Sequence, residues 1–215
     1  MAAYIVIAII AYLIGSINFS VIISKRMAGF DVREKGSGNA GTTNMLRSVG
    51  IKAAVITLLC DILKGVVVIL IAILIGNIID NVDSALLVQL AGIFVIIGHT
   101  FPIFFQFKGG KGIAASVGLL LAFDWRIFLI CAVVFFALFF ATHYVSLCSL
   151  AGYLCFVVLL FAFGQTGMYP CSQPVLYEMY VIAFLLMVLA YWRHRQNIGR
   201  LLHGNENKIF LSKKR

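Results

Sequence analysis

Long apolar runs separated by short polar breaks occupy the chain from its third residue to about residue 192. A helix needs about 20 consecutive apolar residues to cross the hydrocarbon core of a bilayer. Residues 3–24, 53–76, 85–101, 127–143, 146–164 and 176–192 meet or approach that length, and a further segment, 112–124, is shorter. Only Thr142, His143 and Tyr144 mark the break between the 127–143 and 146–164 runs. The pattern predicts an all-α polytopic membrane protein, seven transmembrane helices joined by short loops, in a single domain over residues 1–215. Six spans with one re-entrant segment is the competing count.

Composition points the same way. The chain is 62% hydrophobic and 12% charged, against about 25% charged in an ordinary soluble domain. The first run starts at Tyr4-Ile5-Val6 without a basic stretch before it and is long enough to span, so it reads as a membrane helix, not a cleaved signal. Cys60, Cys131, Cys148, Cys155 and Cys171 form no Cys-x-x-Cys pair, and four lie in apolar runs. They read as small buried hydrophobes, not as a disulfide or zinc framework.

Charge sets the orientation. With seven spans, all but Lys64 and Arg126 of the 17 Lys and Arg residues fall on one side. The other side holds Arg126 with Asp80, Asp83, Asp124 and Glu178. The positive-inside rule then puts the N-terminus outside and the C-terminus in the cytoplasm. An even number of spans would separate the last basic segment from the first. The net charge of +9 sits in short loops without an aromatic-interleaved stripe, which argues against nucleic acid and for anionic membrane lipids as partners.

Three glycine-rich, basic segments interrupt the apolar chain, all on the predicted cytoplasmic face. The first, Gly36 to Arg47, carries a formal G-x-G-x-x-G from Gly36 through Gly38 to Gly41. No strand precedes it, so a dinucleotide fold is excluded. Ser37, Asn39, Thr42, Thr43 and Asn44 add polar donors, and the planar guanidinium of Arg47 suits phosphate. The second runs from Gly98-His99 through Pro102 to Lys108-Gly109-Gly110-Lys111-Gly112. It leads into Ala114-Ala115-Ser116, where a helix N-terminus would attract an anion. It is not a Walker loop, since Gly112 stands where Ser or Thr is required and Phe105 at the leading glycine position. The third, His194 to Leu201, places His194, Asn197 and Leu201 on one face if the last span continues as helix, with Arg200 adjacent. Glycines that let backbone amides crowd an anion, together with Lys, Arg and His, predict a site for phosphorylated molecules, one of them lipidic. The plain alternatives are an interfacial loop for the first segment, topogenic lysines and a helix-starting glycine for the second, and a boundary role for His99 and Pro102. Asp61 and Lys64, three apart inside the second run, either pair structurally or line the site. No Asp, Glu and His cluster has metal-ligand spacing, so no metal is expected.

Taken in order, these blocks resemble the bacterial acyl-phosphate:glycerol-3-phosphate acyltransferase (PlsY) family, through Gly36–Arg47, Gly98–Gly112, His194–Glu206 and the Asp61–Gly65 stretch. The resemblance implies a plasma-membrane enzyme, without cofactor, that moves a fatty acyl group from acyl phosphate to the 1-hydroxyl of glycerol 3-phosphate. Its products would be 1-acylglycerol 3-phosphate (lysophosphatidic acid) and phosphate, the first acylation of bacterial phospholipid synthesis. It further implies a pathway link to an acyl-phosphate-forming enzyme. By the same resemblance, Ser37, Arg47 and Lys111 match positions that bind phosphate and support activity. His194 and Asn197 match positions that hold or activate glycerol 3-phosphate, Glu206 one that supports the structure, and Gly38, Gly109, Gly110 and Gly112 the motif glycines. Gly36, Asn39, Thr43, Asn44, His99, Lys108 and Arg200 complete the expected substrate-binding set. Direct attack of the glycerol hydroxyl on the acyl carbonyl is expected, with either His194 or the acyl phosphate's own oxygen as base. The His-x4-Asp signature of other acyltransferases is absent: Phe104, Cys148, Gly199 and Lys208 follow the four histidines at that spacing. The alternative function is a transporter or flippase of an organic phosphate. It would need access from both faces, and the outer loops are short and poor in anion-binding residues.

Overall fold

The computed structural model describes residues 2–210, all of them helical or in turns and loops. Among these described residues ten α-helices follow one another: α1 Ala2–Gly15, α2 Phe19–Ala28, α3 Thr42–Ser48, α4 Ile51–Ile78, α5 Ser84–Thr100, α6 Ile113–Phe123, α7 Trp125–Thr142, α8 Val145–Gln165, α9 Gln173–Arg193 and α10 Arg195–Leu202. Among the described residues, six stretches are long and apolar enough to cross a membrane: Ala2–Ala28, Ile51–Ile78, Ser84–Phe105, Trp125–Thr142, Val145–Gln165 and Gln173–Arg193. They lie within a few residues of the runs read from the sequence. The seventh predicted span is α6, whose 11 residues reach only about 16 Å at 1.5 Å per residue, roughly half the hydrocarbon thickness. Outward faces stay apolar: Leu59, Leu63, Leu70 and Leu74 on α4, and Val133, Phe136 and Phe140 on α7, are exposed. Such continuous apolar surface suits lipid and would be an aggregation liability in water.

The chain divides into two compact units, Met1–Phe123 and Asp124–Arg215. In the first, α1 packs mainly against α5, and α4 against α5 and α6. Small residues permit this closeness, because lipid tails provide no hydrophobic drive between helices and packing must supply it. Gly65 on α4 and Gly118 on α6 face each other so closely that a Cβ at Gly118 would collide with the Ile62 carbonyl, and one at Gly65 with that of Ala115.

The first apolar run was expected to be one helix. It breaks at residues 16–18 instead, where the Asn18 side chain caps α2 by accepting from the Val21 N–H and the Ser20 hydroxyl. A helix end inside a bilayer needs such internal partners because no water is there to satisfy it.

In the second unit α7 and α8 form a hairpin that turns at His143, in the left-handed region at φ 61°. Helix α9 opens with Pro174 in its first turn, and its backbone bonding passes through His194 into α10, the Ile198 N–H donating to the His194 carbonyl. The segment after α10 returns to the α7–α8 corner, where the Ile209 N–H donates to the His143 carbonyl at 2.9 Å.

Candidate functional site

Asp31 and Arg33 build the frame of the first polar segment. Asp31 accepts the Arg33 N–H at 3.0 Å, and its carboxylate takes two further bonds from the guanidinium, at 3.0 and 2.7 Å. The Arg33 hydrogen bonds hold the Asp31 carboxyl below its ordinary value, against the cost of burial. The remaining guanidinium nitrogen donates to the Phe105 and Lys108 carbonyls at 2.9 and 3.2 Å. Arg33 therefore fastens the first polar segment to the second.

Asn44 on α3 is buried and committed to the protein. Its amide nitrogen donates to the Val32 and Lys35 carbonyls, and its oxygen accepts the Ser37 N–H at 2.9 Å. That sets the loop carrying Gly36, Ser37, Gly38 and Asn39, in which the Gly38 N–H is also spent, on the Lys35 carbonyl. Ser37 and Arg47 are exposed, and Thr43 lies one helical turn before Arg47 on the same face of α3.

The second segment folds back on the end of α5. The Gly109 N–H donates to the Thr100 carbonyl at 3.2 Å and the Gly110 N–H to the His99 carbonyl at 3.1 Å. These two amides are turned to the protein, and what makes the glycines necessary is space. A Cβ at Gly110 would run into the His99 ring and the Ala40 carbonyl, and one at Gly109 into the His99 carbonyl. Lys108 is exposed and Lys111 half-buried, just ahead of α6. Gly112, at φ +85°, adopts a conformation that other residues enter at a cost, and it lets the chain turn into the helix. The first-turn amides of α6 have no partners within their own helix and favour an anion near Lys111.

Beneath this loop, within the spans, lie three buried side chains. Lys64 contacts Asp61 Oδ1 at 2.8 Å and His99 Nδ1 at 2.9 Å. His99, expected to bind substrate, is 3% exposed, with its ring between this ion pair and Gly110.

In the second unit His194 and Asn197 are both buried, as their common helical face required. His194 Nδ1 lies 2.8 Å from the Ala190 carbonyl. A carbonyl only accepts, so Nδ1 carries a proton; whenever the ring is neutral, Nε2 is its acceptor nitrogen. Glu206 gathers three donors: Asn197 Nδ2 at 2.7 Å and Ser146 Oγ at 3.0 Å on Oε1, and Arg200 Nε at 2.6 Å on Oε2. Burial disfavours its charge, but the bonds from Asn197, Arg200 and Ser146 outweigh that and keep its carboxyl below the ordinary value. Trp192, half-exposed, is flanked by the Arg193 and Arg195 guanidinium groups at 5.9 and 4.8 Å from its ring, a cation–π arrangement suited to an interface.

Sequence reading missed Asp31, Arg33 and Ser146. Arg33 sits in a charged turn that reads as topogenic, and a serine at the start of a helix carries no signal by itself.

Two glycine-rich basic segments locked together on apolar helices, and a second unit ending in a carboxylate-organised His–Asn–Arg helix, define a membrane protein equipped to handle phosphorylated substrates. Residues 5–204 match the family model described as glycerol-3-phosphate acyltransferase, and the chain belongs to that family. It is 40% identical over 208 residues to the glycerol-3-phosphate acyltransferase of Clostridioides difficile strain 630, covering 96% of both chains. It is 43% identical over 198 residues to that of Shouchella clausii strain KSM-K16, covering 92% of both. Among solved structures it is similar to PlsY, an integral membrane glycerol 3-phosphate acyltransferase, in its glycerol 3-phosphate form. The TM-score there is 0.82, with 34% identity and 96% of each chain covered. The lysophosphatidic acid form of PlsY gives a TM-score of 0.80 with 32% identity, over 96% of this chain and 95% of that one.

Proposed function

We propose that this glycerol-3-phosphate acyltransferase takes its acyl group from acyl phosphate and delivers it to the 1-hydroxyl of glycerol 3-phosphate. The observation that carries the reading is the pairing within one unit of two phosphate-suited elements. One is α3 with Thr43 and Arg47; the other is Lys111 at the start of α6, on a loop fastened by Arg33. Both reactants carry a phosphate, and the donor's acyl chain can remain in the lipid while its phosphate meets these cations.

In the reaction the glycerol oxygen forms a bond to the acyl carbonyl carbon, and the bond from that carbon to the phosphate oxygen breaks. The products are 1-acylglycerol 3-phosphate and inorganic phosphate, with the hydroxyl proton finishing on the released phosphate. Arg47, Lys108 and Lys111 neutralise phosphate charge and Ser37 offers a hydroxyl donor, an electrostatic arrangement that itself lowers the barrier. His194, Asn197 and Arg200 serve the acceptor, with Glu206 holding Asn197 and Arg200. The proton travels either directly to the leaving phosphate or through His194 Nε2, the acceptor nitrogen of that ring. The two compact units act as one acyltransferase domain. With α6 counted as a seventh membrane helix, the basic segments face the cytoplasm of a bacterial plasma membrane, where an enzyme that forms acyl phosphates supplies the donor.

The test compares donors on purified protein, with palmitoyl phosphate and palmitoyl-CoA each supplied at matched concentration with glycerol 3-phosphate. Lysophosphatidic acid from palmitoyl phosphate alone is the expected result. Product from palmitoyl-CoA at an equal rate would overturn the donor assignment.

A further inference from the structure

Lys64 lies inside α4, 4% exposed, and its ammonium has three N–H bonds to give. Four acceptors lie within reach: Asp61 Oδ1 at 2.8 Å, the Ile17 carbonyl at 2.9 Å, His99 Nδ1 at 2.9 Å and the Gly15 carbonyl at 3.1 Å. Two of them are carbonyls freed by the break between α1 and α2. The third is the carboxylate that balances the charge. The fourth is a ring nitrogen of His99, on α5 and 3% exposed. With Lys64 as the donor, His99 Nδ1 accepts and Nε2 bears the ring proton. That second nitrogen is turned toward the point where Gly110 and the Ala40 carbonyl meet, and the backbone of His99 receives the Gly110 N–H at 3.1 Å. The ring thus stands between a buried ion pair in the spans and the place where the two glycine-rich segments touch. Charges this deep in a span are expensive to keep. An ion pair needed only for packing could be replaced by apolar residues at little loss, and it would have no reason to end on the loop.

We infer that Asp61, Lys64 and His99 form a buried strut that positions the Lys108–Gly112 loop, and with it Lys111, for phosphate binding. None of the three is a catalytic residue. Lys64 anchors the ring, Asp61 holds Lys64 in place, and His99 sets the height at which Gly110 rests. The inference depends on the proposed role of that loop, so its test includes Lys111→Ala.

The decisive variant is His99→Asn. Its amide oxygen takes the place of Nδ1 and accepts from Lys64, so the buried charges stay satisfied, but it does not reach Gly110. Asp61→Asn is carried alongside; it keeps the size and an oxygen acceptor while removing the charge that holds Lys64. Steady-state KM and kcat for both substrates are measured with thermal unfolding in detergent. Lys111→Ala is expected to raise the KM of one phosphorylated substrate. His99→Asn should raise the KM of that same substrate by about tenfold or more, the scale of a binding group mis-set by a fraction of an ångström. Its kcat should change less and its melting temperature little, with Asp61→Asn in the same direction. An unchanged KM in folded His99→Asn and Asp61→Asn, with losses confined to melting temperature or active fraction, overturns the strut as a positioning device. An unchanged KM for both substrates in Lys111→Ala instead overturns the loop's phosphate role, and the strut's purpose with it.

Discussion

Replacing Glu206 by alanine removes the acceptor shared by three side chains, and the structure sets the cost. Asn197 Nδ2 and Ser146 Oγ donate to it at 2.7 and 3.0 Å from residues 8% and 6% exposed. A buried donor left without an acceptor costs about 1–3 kcal/mol, so these two together lose about 2–6 kcal/mol. Arg200 adds little, because its side chain is 35% exposed and water replaces the carboxylate; an ion pair of that kind contributes at most about 1 kcal/mol. A loss near the middle of that range lowers the melting temperature by on the order of 10 °C for a chain of this size. Thermal unfolding in detergent, followed with a thiol-reactive dye that reports exposure of the buried cysteines, measures it. Glu206→Gln keeps one oxygen for Asn197 and Ser146 but turns an amide toward Arg200, so it should fall between alanine and wild type. The sign of the pH dependence follows from the lowered carboxyl. The stabilisation is fully present above the ordinary glutamate value of 4.5 and is lost as pH falls through the lower folded value. The wild-type advantage over Glu206→Gln should therefore shrink below about pH 4.5. A Glu206→Ala variant melting within 2 °C or so of wild type, with unchanged glycerol 3-phosphate KM, would refute the reasoning.

Three further outcomes are expected. Gly110→Ala should cut kcat/KM by about tenfold or more, because its methyl meets the His99 ring and Ala40 carbonyl, while Gly152→Ala, with nothing within 4 Å, should leave activity intact; steady-state kinetics on both variants decides. Arg33→Lys loses the fork that holds Asp31 and two loop carbonyls at once, and should raise a substrate KM several-fold in a protein that still folds. For His194→Gln, direct proton transfer to the leaving phosphate predicts a wild-type pH–rate profile at reduced kcat; loss of the acidic limb, the fall in rate at low pH, assigns the proton to His194 Nε2.

The helices were legible because hydropathy is a property of contiguous residues, and α4, α5 and α7–α9 end close to the predicted bounds. The break at residues 16–18 was hidden. Ser16 and Asn18 are two polar residues in a long apolar stretch, and the carbonyls they release are satisfied by Lys64, far away in sequence. The Asp61–Lys64 pair showed in its spacing of three residues, whereas the third member, His99, required α5 to be docked beside α4. The reading of the glycines as amide donors was incomplete for the same reason. At Gly110 the requirement is set by a ring and a carbonyl that only tertiary packing brings within contact. His194 and Asn197 fell on one buried face as helical spacing implied, and the resemblance named Glu206, but Ser146, which shares the Glu206 carboxylate with Asn197, comes from another helix.

The central claim is transfer from acyl phosphate to glycerol 3-phosphate, and product stoichiometry tests it most directly. Purified protein in detergent or lipid mesophase is given palmitoyl phosphate and glycerol 3-phosphate, and released phosphate and lysophosphatidic acid are quantified over the same time course. The account predicts that the two rise together in equal amounts, that neither appears above background in Arg47→Ala, and that omitting glycerol 3-phosphate abolishes phosphate release. Phosphate release without lysophosphatidic acid, or lysophosphatidic acid formed equally well by Arg47→Ala, would contradict it.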